Sequence, residues 1–166
     1  MGQIVSYHLA QLNIARFRLP QEHPQNADFV NNLERINRIA EKQDGFIWRL
    51  VGDDNATSAI DVNAFDDINI ISNMSLWANL ESLAAFVYRN KEHREIMRRG
   101  SEWFDEIDFH LVLWWVKQGH IPSLDEAKLR LELLESSGPS DRAFTFKVPF
   151  GPNHQGPATP DLKKCV

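Results

Sequence analysis

The spacing of apolar residues switches between a period of two and a period of 3.6 along this chain, and that alternation is the strongest constraint on its fold. From Tyr7 to Ala15 a period of two predicts a strand with Tyr7, Leu9, Gln11 and Asn13 on one face. Residues 28–43 then show helical spacing, with a polar loop between the two segments. Three further strands and two helices follow: strands over 46–51, 68–77 and 109–116, a helix capped by Asn79 and a short helix over 91–99.

The resulting β-α-β-β-α-β order is typical of the ferredoxin-like α+β fold, an antiparallel sheet with helices on one face. A capping box at 123–126 opens an extra helix that ends near Gly138, and the alternation over 143–148 predicts an additional late strand. Residues 1–150 are therefore expected to form a single domain, and residues 151–166, rich in proline, a flexible tail.

A sheet with helices on one face leaves its other face bare. We expect a second copy of the chain to cover that face, which predicts a homodimer whose two sheets face each other, with a pocket between sheet and helices. Adjacent Trp114 and Trp115 must point to opposite faces of their strand. One should therefore pack under the helices and the other should face the partner or the pocket.

Composition narrows the function classes. The 166-residue chain carries a net charge of −5, which argues against a nucleic-acid partner. No apolar run is long enough for a membrane span and no signal peptide is visible, so the expectation is a cytoplasmic protein without a membrane partner. The single cysteine, Cys165, excludes an internal disulfide. No His, Cys, Asp or Glu spacing indicates a metal site.

Aromatic residues are concentrated between Trp77 and Trp115, which indicates either core or the wall of a pocket for a small apolar or aromatic ligand. We take six residues as candidate substrate-binding side chains: Trp48, Phe86, Tyr88, His93, Trp103 and Trp114. Packing in the core is the alternative for each of them.

Several segments resemble the domain of unknown function 3291 family. They span about residues 7–150 and include Ala10-Gln11-Leu12-Asn13, Phe46-Ile47-Trp48-Arg49-Leu50, Leu76-Trp77, Phe86-Val87-Tyr88-Arg89, Trp103-Phe104, Leu111-Val112-Leu113-Trp114-Trp115-Val116 and Gly119-His120-Ile121-Pro122. The resemblance implies the dimeric α/β-barrel superfamily, which includes antibiotic-biosynthesis monooxygenases that work without metal or flavin, and haem-degrading enzymes. It implies a fold and a range of reactions but no single reaction.

Four residues are the candidate catalytic group under the monooxygenase hypothesis. Asn73 and Trp77 lie four apart on one strand and point the same way, as the substrate-holding Asn and Trp of such monooxygenases do. Asn13 would add a second amide and Arg49 a charge to balance a phenolate, so the substrate would be aromatic or polyketide-like and no tightly bound cofactor would be needed. Structural roles in packing and strand hydrogen bonding are the alternative.

Two other hypotheses stay open. In the first, His93 is the axial ligand of a haem-binding or haem-degrading protein, with the arginines around it pairing with propionates. In the second, the chain is a non-catalytic dimer that binds an apolar metabolite. His120, which precedes a proline and a capped helix, is a candidate general acid or base, although fixing its loop is the more ordinary role.

Overall fold

The computed structural model describes residues 4–52 and 64–152. Within them, one antiparallel sheet has the order β2-β3-β1-β5, and the two-residue strand β4 continues alongside the end of β1. The strands are β1 (Tyr7–Phe17), β2 (Phe46–Arg49), β3 (Ile70–Trp77), β4 (Phe104–Asp105) and β5 (Leu111–Lys117). This is the strand order of the ferredoxin-like split β-α-β unit, so the expected α+β fold is confirmed.

Strand β1 is the centre of the sheet. Its eleven residues pair with β3 over Leu9–Arg16, with β5 over Tyr7–Asn13 and with β4 at Arg16 and Phe17. Leu9 lies opposite Trp77 on β3 and opposite Trp115 on β5. Because side chains alternate along a strand, this register places the odd-numbered residues of β1, β3 and β5 on one face of the sheet and the even-numbered residues on the other.

The odd-numbered face is covered by three helices: α1 (Ala27–Glu41), α2 (Leu80–Arg89) and α3 (Lys91–Arg98). The predicted inner stripe of α1 is confirmed, since Phe29, Ile36 and Ala40 are buried. Asn79 caps α2 as predicted, its Oδ1 accepting a hydrogen bond from the backbone N–H of Ser82 at 2.8 Å. We call this surface the helix face of the sheet.

The even-numbered face is covered by the extra C-terminal helix α4 (Leu124–Ser137) of the same chain. Ala127, Leu131 and Leu134 of α4 pack in one continuous cluster with β1, β3 and β5, where Leu12 and Val112 have no exposed surface. The bare face expected from the sequence is therefore filled by α4 instead of a second copy of the chain. We call it the α4 face; the homodimer itself stays a prediction.

Residues 143–148 form isolated β-bridges at Ala143 and Phe144 instead of the regular strand expected from their alternation. Phe144 exchanges both backbone hydrogen bonds with Leu113 of β5, at 2.8 and 2.9 Å. The chain then leaves the sheet edge, because Phe146 packs edge-on against Tyr88 of α2. The alternating apolar residues of this segment are therefore buried beneath the helices, but they do not form a continuous strand. The polar segment 53–63 and most of the predicted tail, residues 153–166, lie outside the described residues.

Trp114 and Trp115 point to opposite faces of β5, as expected. Trp114 is completely buried on the α4 face. Trp115 lies on the helix face beside Phe144, and its indole N–H donates to the carbonyl of Phe150 at 2.7 Å. The segment after α4 thus wraps around the β5 edge and closes the helix-face core on that side.

Replacing Gly45, between α1 and β2, should destabilise the fold more than replacing Gly119, although both glycines have a positive φ. It has φ of +85°, and an added Cβ would lie 2.2 Å from Oγ of Ser82 on α2. Gly119 has φ of +93° with nothing within 4 Å. Gly119→Ala should lower the free energy of unfolding by about 1 kcal/mol, through backbone strain alone. Gly45→Ala should lower it by about 1–3 kcal/mol more, because the added Cβ also clashes with Ser82. Urea denaturation of both variants measures this, and equal midpoints would contradict the close approach.

Candidate functional site

The hydrophobic core is continuous on the α4 face but divided in two on the helix face. One helix-face cluster lies around Leu9 and Trp77 and contains Phe86; the other lies around Phe17, Phe29 and Trp103. Between them β1 and β3 carry polar side chains in two opposed pairs, Gln11 with Ser75 and Asn13 with Asn73. We call these four residues the amide cluster. An interruption of the core by polar groups is where a polar ligand group can be accommodated.

Gln11 is the buried residue that holds the amide cluster together through hydrogen bonds. Its side chain is buried, and Nε2 donates to Oδ1 of Asn73 at 2.8 Å and to Oγ of Ser75 at 2.9 Å. Ser75, also buried, accepts a second hydrogen bond from the indole Nε1 of Trp77 at 2.8 Å. These charge-free hydrogen bonds satisfy groups that would otherwise be costly to bury.

The two asparagines lie at the accessible side of the cluster. Asn73 is exposed and Asn13 is half-buried, directly across from it in the adjacent strand. Opposed residues of antiparallel strands have Cα atoms about 5 Å apart. The side chain of Asn13 makes no hydrogen bond with any residue in the described ranges. Two neighbouring amides are therefore presented on one surface.

Arg49 supplies a cation on the same face of the sheet as the amide cluster. It lies opposite Ser75 in the pairing of β2 with β3 and therefore on the helix face. Its Nε donates to Oε1 of Glu41, at the end of α1, at 2.6 Å. The arginine side chain is 13% exposed and the glutamate side chain 40%, so the positive partner is the inner one and the carboxylate faces solvent.

Trp77 is a core residue on this evidence. It is 1% exposed, stacks on Phe86 with ring centroids 5.6 Å apart and meets Phe46 edge-on at 5.4 Å. Its side chain reaches the amide cluster only through the hydrogen bond to Ser75. The four residues predicted as catalytic thus share one face of the sheet. Trp77 is buried there and contributes to the amide cluster by its hydrogen bond to Ser75.

The structure does not bring all six predicted substrate-binding residues together. Phe86, Tyr88 and His93 belong to α2 and α3 on the helix face. Trp103 is buried in the second helix-face cluster, beneath the guanidinium of Arg99 at 4.7 Å. Trp48 and Trp114 pack on the α4 face, so the sheet itself separates them from the asparagines. A pocket at the amide cluster cannot include these last two side chains.

His93 is held at the junction of α2 and α3. Its Nδ1 lies 3.2 Å from the carbonyl oxygen of Val87, and its ring packs against Phe86 at 4.7 Å. Burial lowers the pKa of His93, with the hydrogen bond to Val87 opposing that shift in part. A neutral imidazole anchored through Nδ1 fits what an axial haem ligand requires, but the same contacts explain a purely structural role, and haem binding stays a prediction.

His120 and Glu126 form a pair at the start of α4. Ser123 caps the helix, its Oγ accepting from the backbone N–H of Glu126 at 3.1 Å. The Glu126 carboxylate does not complete a capping box; it accepts instead from Trp114 Nε1 at 3.2 Å and lies 2.7 Å from His120 Nε2. Glu126 thereby ties the β5–α4 loop to the α4-face core, which supports the loop-fixing role of His120.

Gln11 and Ser75 are the residues that sequence reasoning missed. The period of two already placed Gln11 on the same strand face as Asn13, and a buried glutamine at the middle of a central strand needs a partner. That partner is Ser75, opposite it in β3. Within the described ranges, no three His, Cys, Asp or Glu side chains are grouped as metal ligands, and no helix is long and apolar enough to cross a membrane.

The sheet order, the two helix-face clusters and the amide cluster define the chain as a ferredoxin-like α+β protein with a polar interruption beneath its helices. It belongs to the family described as domain of unknown function DUF3291, whose match spans residues 8–159. The resemblance noted in its sequence is thereby confirmed. No curated protein matches the chain.

Solved structures with a partly similar fold are distant. A conserved protein from Methanosarcina mazei Go1 has a TM-score of 0.45 and 15% identity over 66% of this chain and 90% of its own. A protein from Chloroflexus aurantiacus J-10-fl, provisionally described as an antibiotic biosynthesis monooxygenase, has a TM-score of 0.44 and 12% identity over 70% and 98%. A protein of unknown function from Nitrosomonas europaea has a TM-score of 0.43 and 10% identity over 74% and 97%.

Two serines of β3 provide a matched test of the amide cluster. Ser75 and Ser72 are each 6% exposed, but on opposite faces, and the hydroxyl of Ser72 has no hydrogen-bond partner in the described structure. Ser75→Ala leaves the indole of Trp77 without its acceptor and should lower the free energy of unfolding by about 1–3 kcal/mol. Ser72→Ala should be neutral or stabilising. Urea denaturation compares them, and equal losses would mean that the hydrogen bonds to Ser75 contribute nothing.

His93 should make stability depend on pH. Because its pKa is lower in the folded chain than the usual value of 6.5, protonation favours the unfolded state. Stability should be highest above pH 6.5 and fall as the pH drops from there through the lowered folded pKa. His93→Gln removes this titration while keeping a side-chain donor, so its urea midpoint should fall less than that of the wild type between pH 7.5 and 5. Identical declines would show that the imidazole titrates alike in both states.

Proposed function

We propose that this protein is an enzyme that oxygenates a small phenolic substrate, aromatic or polyketide-like, at the amide cluster and without a tightly bound cofactor. The observation that carries the proposal is the orientation of the Asn73 amide. Gln11 Nε2 donates to its Oδ1, so the Nδ2 end points away from the buried side of the cluster. The accessible end of Asn73 is therefore a pair of N–H donors.

Donors in this position suit a developing oxyanion. Oxygenation of a phenol by molecular oxygen starts from the phenolate, whose charge is greatest on oxygen before electrons pass to O2. Asn73 and the neighbouring Asn13 can hydrogen-bond that oxygen while the supporting hydrogen bonds from Gln11 prevent the amide from turning its carbonyl outward. Preorganised donors of this kind are a large contribution to catalysis of reactions that develop negative charge.

The position of the Arg49–Glu41 pair also favours a phenolate at the amide cluster. Arg49 is the inner member of its pair with Glu41 and lies on the cluster's side, opposite Ser75. A substrate oxygen beside Ser75 would meet the guanidinium before the carboxylate. We assign Arg49 to electrostatic support, with Glu41 fixing its position through the hydrogen bond to Nε.

The reaction balances with oxygen as the only co-substrate. A phenol with a ring C–H para to its hydroxyl loses the hydroxyl proton to solvent, O2 accepts two electrons as a C–O bond forms at the para carbon, and the peroxide anion takes a proton back from solvent. The resulting hydroperoxide loses water to give the quinone, so one phenol and one O2 yield one quinone and one water.

The test is oxygen uptake with 1,8-dihydroxyanthrone, whose anthrol tautomer is a polycyclic phenol with a ring C–H at C10 para to the hydroxyl at C9. The wild type should consume oxygen and form the quinone well above the spontaneous rate. Asn73→Asp keeps the shape but replaces the donors with a carboxylate, and should lower kcat by about 10²-fold, as loss of an oxyanion donor does elsewhere. Asn31→Asp, at an exposed asparagine on the outer side of α1, is the matched control and should retain the rate.

Two results would overturn the proposal. Quinone formation no faster than in buffer would exclude this reaction for the probe class. Full activity in Asn73→Asp, with a rate in the wild type well above background, would place the chemistry away from the amide cluster. Circular dichroism of each variant ensures that a lost rate is not a lost fold.

A further inference from the structure

A cavity lies at the start of β1, and nothing in the oxygenation proposal uses it. It has a volume of about 270 Å³, and the residues with side chains that line it come mainly from four parts of the chain. Tyr7 comes from the start of β1, Trp115 from β5, Arg130 from α4, and Asp141 and Arg142 from the turn after α4. Two aromatic rings and two guanidinium groups thus meet around one space.

The aromatic side of the cavity is built on the sheet. Trp115 pairs with Leu9, and Tyr7 lies two residues before Leu9, so the two aromatic residues are diagonal neighbours on the helix face. The hydrogen bond from Trp115 Nε1 to Phe150 at 2.7 Å fixes the plane of the indole. A fixed aromatic surface of this kind can receive a flat ring by stacking or edge contact.

The charged side of the cavity has an excess positive charge. Arg142 is exposed, and its side chain makes no hydrogen bond or ion pair within the described ranges. Arg130 donates to the carbonyl of Arg142 at 3.0 Å and lies 3.9 Å from Glu126, so part of its charge is already balanced. Arg142 is therefore the guanidinium of the lining that is left for a ligand, and because Asp141 also lies in the lining, the cavity suits a ligand with no more than one negative charge.

We propose that this cavity binds a small aromatic monocarboxylate, with the ring against Trp115 and the carboxylate on Arg142. Guanidinium groups bind carboxylates through paired N–H donors, which neither a lysine nor an amide reproduces. The volume suits a ligand with one ring. The ligand's carboxylate would supply the negative partner that Arg142 does not have among the described residues.

This site is separate from the amide cluster. Tyr7 and Asn13 are six residues apart on one extended strand, which corresponds to about 20 Å. Binding here therefore neither requires nor tests the oxygenation reaction. The two proposals can fail independently.

The probe for this site is benzoate, followed by NMR of the Trp115 indole N–H, with benzamide as its neutral isostere. The indole resonance is assigned by its loss in Trp115→Phe. Benzoate should shift it saturably, and benzamide should bind at least tenfold more weakly because it lacks the charge. Arg142→Gln should weaken benzoate binding about tenfold, and because the Arg142 side chain makes no hydrogen bond or ion pair within residues 4–52 and 64–152, the fold should be unaffected. Arg35→Gln, at an exposed arginine on α1, is the matched control and should leave the affinity unchanged.

Three results would overturn the proposal. The absence of a saturable shift of the Trp115 resonance would mean that the cavity does not bind aromatic acids. Equal affinity for benzoate and benzamide would reduce the cavity to an apolar surface without charge recognition. Unchanged affinity in Arg142→Gln, with correct folding shown by the remaining indole resonances, would remove the assigned carboxylate partner.

Discussion

The burial of β1 on both faces is the constraint from which the rest of the structure follows. Leu9, Ala10, Gln11 and Leu12 are all buried, although consecutive residues point in opposite directions. A shift of β1 by one residue would exchange the contents of the two faces, moving Gln11 into the apolar α4-face core and away from Ser75. The register of the sheet is therefore specified twice, by apolar packing on the α4 face and by hydrogen bonds on the helix face.

Helix α4 removes the need for a partner chain to cover the second face of the sheet. A ferredoxin-like sheet without it would expose Leu12, Val112 and Trp114, all completely buried here. Because α4 covers them within the same chain, that sheet face is not available to a second copy, and pairing through it would require α4 to leave. A homodimer would have to use a different surface, such as the outer edge of β2, where Ile47 and Val51 are exposed.

Much of this architecture was predictable because local patterns agree with tertiary packing. The period of two in β1, the inner stripe of α1 and the caps at Asn79 and Ser123 each specify one element. The helix that Ser123 caps was predicted as well, but its position was not, because no local pattern states which face a helix will cover. The β-bridge at Phe144 misled prediction for the same reason, since alternation records burial and not the identity of the neighbour.

The candidate site shows the same limit at the level of side chains. Asn13, Asn73, Trp77 and Arg49 were found on one face because strand periodicity determines the face. Trp48 and Trp114 could not be separated from them, because an aromatic residue signals burial equally on either face. Gln11 had the right periodicity, but its importance emerges only from the cross-strand register that places Ser75 and Asn73 within its reach.

The contrast between the two faces of one sheet argues that the amide cluster is a functional feature and not a defect of packing. The same strands that support one continuous core on the α4 face support two separate clusters on the helix face. An apolar side chain in place of Gln11 would bury apolar surface there without needing a hydrogen-bond partner, at about 25 cal/mol per Å². A buried glutamine destabilises the fold unless its amide finds hydrogen-bond partners, which Asn73 and Ser75 provide here. A chain that keeps a polar interruption where a simple core was available is giving up stability at that place, as proteins do at sites that bind or react.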